Sequence, residues 1–285
     1  MAVIARPTDR HLFVEPTIKR VRGMFGGATV FDSRRVLILF EQGRLPVYRV
    51  PLDDVRDDLI EPSDTRETSE RKGEARYFSV RVGERIAVDA AWNYPEPIPD
   101  GPDLSGHVAF YWNAMDSWWE EDDQVFKHAR DPYHRVDVLR SSRHVTVELD
   151  GTVVAETHRP LLLLETGLPA RWYVPRADVD ASALTPAKGQ TFCPYKGLCG
   201  YYDIADARKA AWSYEDAWPE VRHIAGLVSF EPDKIEVHLD GTRLRLEPGQ
   251  TVIPHGTDRN LTPDEAPPAG SHDRHRRAWN NGSRG

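Results

Sequence analysis

Two stretches of equal length, Gly26–Glu41 (GGATVFDSRRVLILFE) and Asp150–Glu165 (DGTVVAETHRPLLLLE), decide the architecture, because one is a variant of the other 124 residues further along. Each runs from a tight turn through a strand-like segment and a polar turn around Arg35 or Arg159, and each closes with a short apolar run ending on a glutamate. Extended without a gap, Gly26–Ser79 aligns with Asp150–Asp203 and holds 15 identities, among them Glu41/Glu165, Pro51/Pro175, Lys72/Lys196, Gly73/Gly197 and Tyr77/Tyr201. After a four-residue deletion the match resumes, pairing Ala90-Ala91-Trp92 with Ala210-Ala211-Trp212, Tyr94 with Tyr214 and Phe110 with Phe230. Two copies at so long a period mean two similar domains; a solenoid would show at least three shorter repeats.

Within each copy the signals are those of strands. Val36–Phe40 and Leu161–Leu164 are short apolar runs bounded by polar turns, as expected of buried strands. Val145–Leu149 and Ile235–Leu239 alternate with period two and run into Asp150-Gly151 and Asp240-Gly241, the strongest short hairpin signal. Pro51 and Pro175 are placed to open a short helical turn, where a missing N–H costs nothing. No segment sustains a 3.6-residue stripe. The expected fold is mainly β, two similar compact antiparallel domains related by internal duplication. The expected boundaries are an N-terminal extension over residues 1–20, a first domain over 21–125, a basic linker over 126–142, a second domain over 143–250 and a disordered tail over 251–285.

Composition limits the function classes. The 285 residues carry a net charge of −8, which argues against general nucleic-acid binding. No apolar run reaches the length of a membrane-spanning helix. The N-terminus lacks the uninterrupted apolar core of a signal peptide, and two cysteines cannot build a disulfide framework. A cytoplasmic location is the expectation. Eight acids against two arginines fill Leu52–Glu70, whereas the matched segment Arg176–Pro194 is balanced, so the acidity belongs to one copy.

The densest chemistry lies in Cys193-Pro194-Tyr195-Lys196-Gly197, which continues to Cys199 and Tyr201. It offers a cation, phenols and thiols within a few residues, suited to anion recognition or nucleophilic chemistry. Glu165 ends its apolar strand and needs a partner, for which Arg159 and Lys196 are candidates. Trp212 is either core or a stacking platform. The equivalent positions of the first copy are Lys72, Tyr77, Trp92, Glu41 and Arg35, but Ser69, Glu70 and Arg71 stand there in place of Cys193, Pro194 and Tyr195. No metal site is expected: Cys193 and Cys199 are six apart with no second cysteine pair, and His272 and His275 lie in the polar tail. No cofactor can be named from these residues.

These motifs, in order and twice over, resemble the family known as domain of unknown function 427. The resemblance rests on GGATVFDSRRVLILFE and DGTVVAETHRPLLLLE, on RVPLDDV and WYVPRADV, on CPYKGLCGYYDI, and on AAW-x-Y followed by GHVAFYW and GLVSFEP. It covers about Val21–Leu244, and the linker DPYHRVDVLRSSRHV is typical of tandem members. It implies a compact β-domain, tent-like or a small barrel, and it brings a nucleotidyltransferase label. That chemistry needs paired acids on a divalent metal. Only Asp178 and Asp180 have the spacing, and the first copy has Arg56 in place of the second acid.

Two functions are therefore expected in turn. The first is a small-molecule binder or enzyme whose pocket, built from Lys196, Tyr195, Cys193, Tyr201, Trp212, Glu165 and Arg159, takes an anionic or planar metabolite. The second is a non-catalytic module that docks a basic protein partner through the acidic, Trp118- and Trp119-containing surface of the first copy.

Overall fold

The computed structural model describes residues 12–41, 44–99 and 101–245. The chain divides into two compact units that part between Ala129 and Arg130. The first unit holds strands β1 (Leu12–Pro16), β2 (Val21–Phe25), β3 (Ala28–Ser33), β4 (Leu37–Glu41), β5 (Val47–Pro51), β6 (Ile60–Ser69), β7 (Gly73–Val82), β8 (Arg85–Asn93), β9 (His107–Phe110), β10 (Ser117–Glu120) and β11 (Asp123–Val125). The second holds β12 (Val136–Arg140), β13 (Val145–Leu149), β14 (Thr152–Thr157), β15 (Leu161–Glu165), β16 (Leu168–Val174), β17 (Thr185–Cys193), β18 (Gly197–Ile204), β19 (Ala207–Ser213), β20 (Val228–Phe230), β21 (Glu236–Leu239) and β22 (Thr242–Arg243).

Each unit is a pair of antiparallel sheets with one topology. The large sheets run β1-β4-β5-β9-β8-β7-β6 and β12-β15-β16-β20-β19-β18-β17; the small ones run β11-β10-β2-β3 and β14-β13-β21-β22. Every strand of one unit thus has a counterpart in the other. All four sheets are open-edged, and among the described residues none closes into a barrel.

The duplication reaches further toward the N-terminus than the aligned motifs show. β1 and β12 are also 124 residues apart, and they pair with β4 and β15 in matching register, Leu12 with Glu41 and Val136 with Glu165. The boundaries expected from sequence therefore move: residues 12–16 of the presumed extension and 136–140 of the presumed linker are edge strands of the large sheets. Neither segment has an alternating pattern strong enough to be read as a strand alone, since half its pairing surface comes from a distant neighbour. The proposed tail over 251–285 lies outside the described residues.

The apolar run of β15, expected to be buried throughout, is buried unevenly: Leu163 is 1% exposed but Leu164 is 40% exposed, although the large sheet carries a core on each face. Successive side chains of a strand point to opposite sides. On one side Leu162, Trp172, Val174, Ala211 and Phe230 pack against Val145, Val147 and Val237 of the small sheet. On the other, Leu163, Tyr173, Trp212 and Tyr214 form a second core with Cys193 and Cys199, against Val221 and Ile224 of the short helix Pro219–Ile224. The turn signals act as expected: Asp150 and Gly151 take φ of 50° and 77°, the paired positive values of the tight hairpin turn that joins β13 to β14. Pro51 and Pro175 each precede a single 3₁₀ turn, Leu52–Asp54 and Arg176–Asp178.

Candidate functional site

In both units the conserved-by-duplication Glu and Lys meet inside the fold. The lysines sit in the β6–β7 and β17–β18 turns, where Lys72 and Lys196 donate backbone N–H bonds of 3.3 Å to Ser69 and Cys193. Gly73 and Gly197 follow at φ of +90° and +101°. A Cβ on Gly197 would stand 3.0 Å from the Asp216 carbonyl, so only glycine lets this turn aim the lysine inward. Lys72 Nζ donates to Glu41 Oε2 at 2.7 Å, and Lys196 Nζ donates to Glu165 Oε2. All four side chains are buried, and each ammonium also lies about 6 Å from a tyrosine ring, Tyr94 or Tyr214.

The other carboxylate oxygen separates the copies. Glu41 Oε1 faces Arg44 Nε at 3.3 Å and Arg71 Nη1 at 3.8 Å. Glu165 Oε1 instead meets His134 Nε2 at 3.0 Å. His134 stacks on Tyr195, the residue that replaces Arg71, with ring centroids 3.9 Å apart. The Tyr195 hydroxyl accepts the Asp131 N–H at 2.8 Å, and the Asp131 carbonyl accepts the His134 N–H at 3.1 Å, so loop and ring are tied together. The Arg130 guanidinium lies 5.9 Å from the Tyr195 ring and bonds Glu220 at 3.1 Å. His134 and Arg130 keep partial solvent access, at 16% and 34% of their side-chain surface.

Electrostatics fix the protonation states. Burial raises the Glu165 carboxyl pKa, but the His134 hydrogen bond and the Lys196 charge outweigh it and hold the group down at about 2. Such a group stabilises the fold fully above the ordinary value near 4.5 and loses that contribution as the pH falls toward 2. Acid unfolding of the second unit is therefore expected to steepen over this window, and Glu165→Gln to flatten it; equal acid slopes in urea titrations of the two proteins would contradict the assignment. Burial pushes the Cys193 thiol up and the Cys199 thiol to about 11. Both stay protonated at neutral pH, so neither is an activated nucleophile. Burial likewise raises Tyr195 and Tyr201 and keeps them as phenols.

Of the residues expected from sequence, the fold gathers Cys193, Tyr195, Tyr201 and Trp212 in one cluster. Tyr201 shares a 2.8 Å hydrogen bond with Thr191, and Trp212 Nε1 donates to Tyr173 at 3.2 Å. In the first unit Tyr77 donates to Glu67 at 2.7 Å, and the Trp92 and Tyr111 rings lie 4.4 Å apart, tilted by 31°. Arg159 and Arg35 do not partner the glutamates. They bond Asp178 at 2.8 Å and Asp54 at 2.5 Å, beside Thr157 and Ser33 hydroxyls that bond the same aspartates. The reason is local: the polar turn before β15 or β4 carries the arginine toward the short helix after Pro175 or Pro51.

One further expectation is corrected. Trp118, read as half of a surface docking pair, is 2% exposed, stacked on Trp112 at 4.3 Å and edge-on to Phe31. Asp178 and Asp180, the acids with metal-pair spacing, are committed to Arg159 and Thr157 and to Ser182 respectively. The shallow depression formed by Arg171, Trp172, Phe230 and Leu244 contains no residue of the CPYKG loop. His134 escaped the sequence reading because nothing in a basic loop signals which buried carboxylate it will meet; its place beside Tyr133 in DPYH was the only local hint.

A fold of two open sheet pairs repeated strand for strand, each with a buried Glu–Lys pair at the same place, defines a tandem protein of one domain type. The family model described as Domain of unknown function (DUF427), with the short label NTP_transf_9, matches residues 13–121 and again 137–241. The chain belongs to this family and carries two of its domains. No curated protein matches it significantly. No helix of the described residues is long and apolar enough to cross a membrane.

Proposed function

We propose that the second copy is a small-molecule-binding domain that takes a planar anion beside the CPYKG loop, at the face of His134, Tyr195 and Arg130. The observation that carries this reading is the difference between the two buried carboxylates. Arginines occupy the outer oxygen of Glu41, whereas an imidazole occupies that of Glu165. A carboxylate only accepts, so His134 Nε2 carries the hydrogen, and the ring is fixed in one tautomer and orientation. Lys196 and Glu165 act as positioning groups behind it. Arg130 supplies donors for an anionic group, and the Tyr195 and His134 rings supply flat surface for a planar body. The first copy keeps the Glu–Lys scaffold without this face.

The test is a thermal-shift and ligand-detected NMR screen of the full chain against aromatic carboxylates and nucleotides. At least one class is expected to bind the wild type and to lose binding in His134→Ala and Arg130→Ala, the latter with a midpoint close to wild type. Hits that persist unchanged in both variants, or a screen in which neither aromatic carboxylates nor nucleotides bind the wild type, would overturn the reading.

A further inference from the structure

The hairpin β13–β14 carries a second constellation that the site above does not use. Its register pairs Val145 with Thr157 and Thr146 with Glu156. One step further along the same ladder, His144 faces His158. Residues two apart on a strand share a face, so His144, Thr146, Glu156 and His158 present their side chains together on the outer surface of the small sheet. The geometry agrees. The two imidazoles stack with centroids 4.2 Å apart and planes at 10°, His144 Nε2 meets Glu156 Oε1 at 2.8 Å, and Thr146 Oγ1 lies 3.3 Å from the same nitrogen. One ligand atom from each of His144, Glu156 and His158 falls within 4.8 Å of the others.

The first unit shows what this position does without histidines. The residues 124 earlier are Arg20, Asp32 and Arg34. There Arg20 clasps Asp32 with two hydrogen bonds, Nε to Oδ1 at 2.7 Å, so a fixed guanidinium neutralises the carboxylate. In the second unit no guanidinium replaces it at these three positions. The Glu156 carboxylate faces imidazole nitrogen instead, the donor type that binds transition metals.

We propose that His144, Glu156 and His158 form a site for a divalent transition metal, with Zn²⁺ as the ion of the right class. Two imidazoles and one carboxylate suit zinc and its neighbours rather than calcium or magnesium, which favour all-oxygen sites. Bond lengths of about 2.0–2.1 Å place tetrahedral ligand atoms roughly 3.4 Å apart, within reach of small rotations of exposed side chains. Three protein ligands leave the fourth position to water. The site does not depend on the anion-binding reading, from which it is separate in residues and in sheet.

The test is a competition titration of the metal-free full chain with Zn²⁺ against a chromophoric chelator. The comparison variant, His144→Arg/Glu156→Asp/His158→Arg, installs the arrangement that the first unit already tolerates and should fold normally by circular dichroism. Wild type is expected to bind one equivalent more than this variant, with micromolar or tighter affinity, and His158→Ala alone to lose that equivalent. Equal zinc uptake by wild type and the triple variant, as tail histidines such as His272 and His275 would produce, would overturn the proposal; so would the absence of binding by wild type.

Discussion

Lys196→Met is expected to destabilise the second unit by about 3–5 kcal/mol, because it leaves the Glu165 carboxylate buried with only His134 against it. Removing one partner of a buried pair exposes the full desolvation penalty of the other. The double variant Lys196→Met/Glu165→Leu removes both charges and fills similar volume, so it is expected to recover most of the loss. In the first unit Lys72→Met leaves Glu41 with Arg44 and Arg71 at 3.3 and 3.8 Å, and a smaller loss is expected there. Urea unfolding of each variant, with hydrogen exchange to assign the transition to a unit, reads all three. A single Lys196 variant as stable as wild type would mean that the ammonium is solvated and free to meet a ligand directly, contrary to the geometry.

Trp92→Ala carries the second large expected effect, a loss of about 3–5 kcal/mol in the first unit. The indole is 2% exposed, packs at a tilt on Tyr111 with centroids 4.4 Å apart and has the Arg49 guanidinium 5.2 Å from its ring. Truncation therefore empties a cavity and takes away one of the two rings, Trp92 and Tyr94, that face this guanidinium. Trp92→Phe keeps a ring in place and is expected to lose less. The outcome decides between packing and a ligand platform, since a tryptophan that served only to stack a ligand could be truncated with little change in the denaturation midpoint. Scanning calorimetry on the full chain gives the answer.

The candidate site was legible in part. Glu165 at the end of an apolar strand announces a need for a cation, and Lys196 before a glycine is one candidate. The choice between Lys196 and Arg159 was not legible, because both lie at plausible distances along the chain. It is made by the direction of two turns: the Gly197 turn folds Lys196 inward, and the turn around Thr157 sends Arg159 outward to Asp178. Likewise CPYKG looked reactive because thiol, phenol and amine are adjacent, yet burial raises the thiols and an ion pair occupies the amine. The residues of the proposed metal site were hidden. A regular hairpin on Asp150-Gly151 would set His144 opposite Thr157, and it is the bulge between Val147 and Glu148 that shifts the register by one and brings His144, Glu156 and His158 to one face.

By itself the sequence determined the duplication and its 124-residue register, the β class, the tight turns and the positions that both copies share, because these follow from local periodicity and from comparison of one half with the other. Tertiary structure alone decided that Leu12–Pro16 and Val136–Arg140 are edge strands, that His134 rather than an arginine completes the second carboxylate, and that Trp118 is core. Each of these depends on pairing between residues distant in the chain, and a strand edge or a buried charge acquires its partner only when the sheet register brings that partner across.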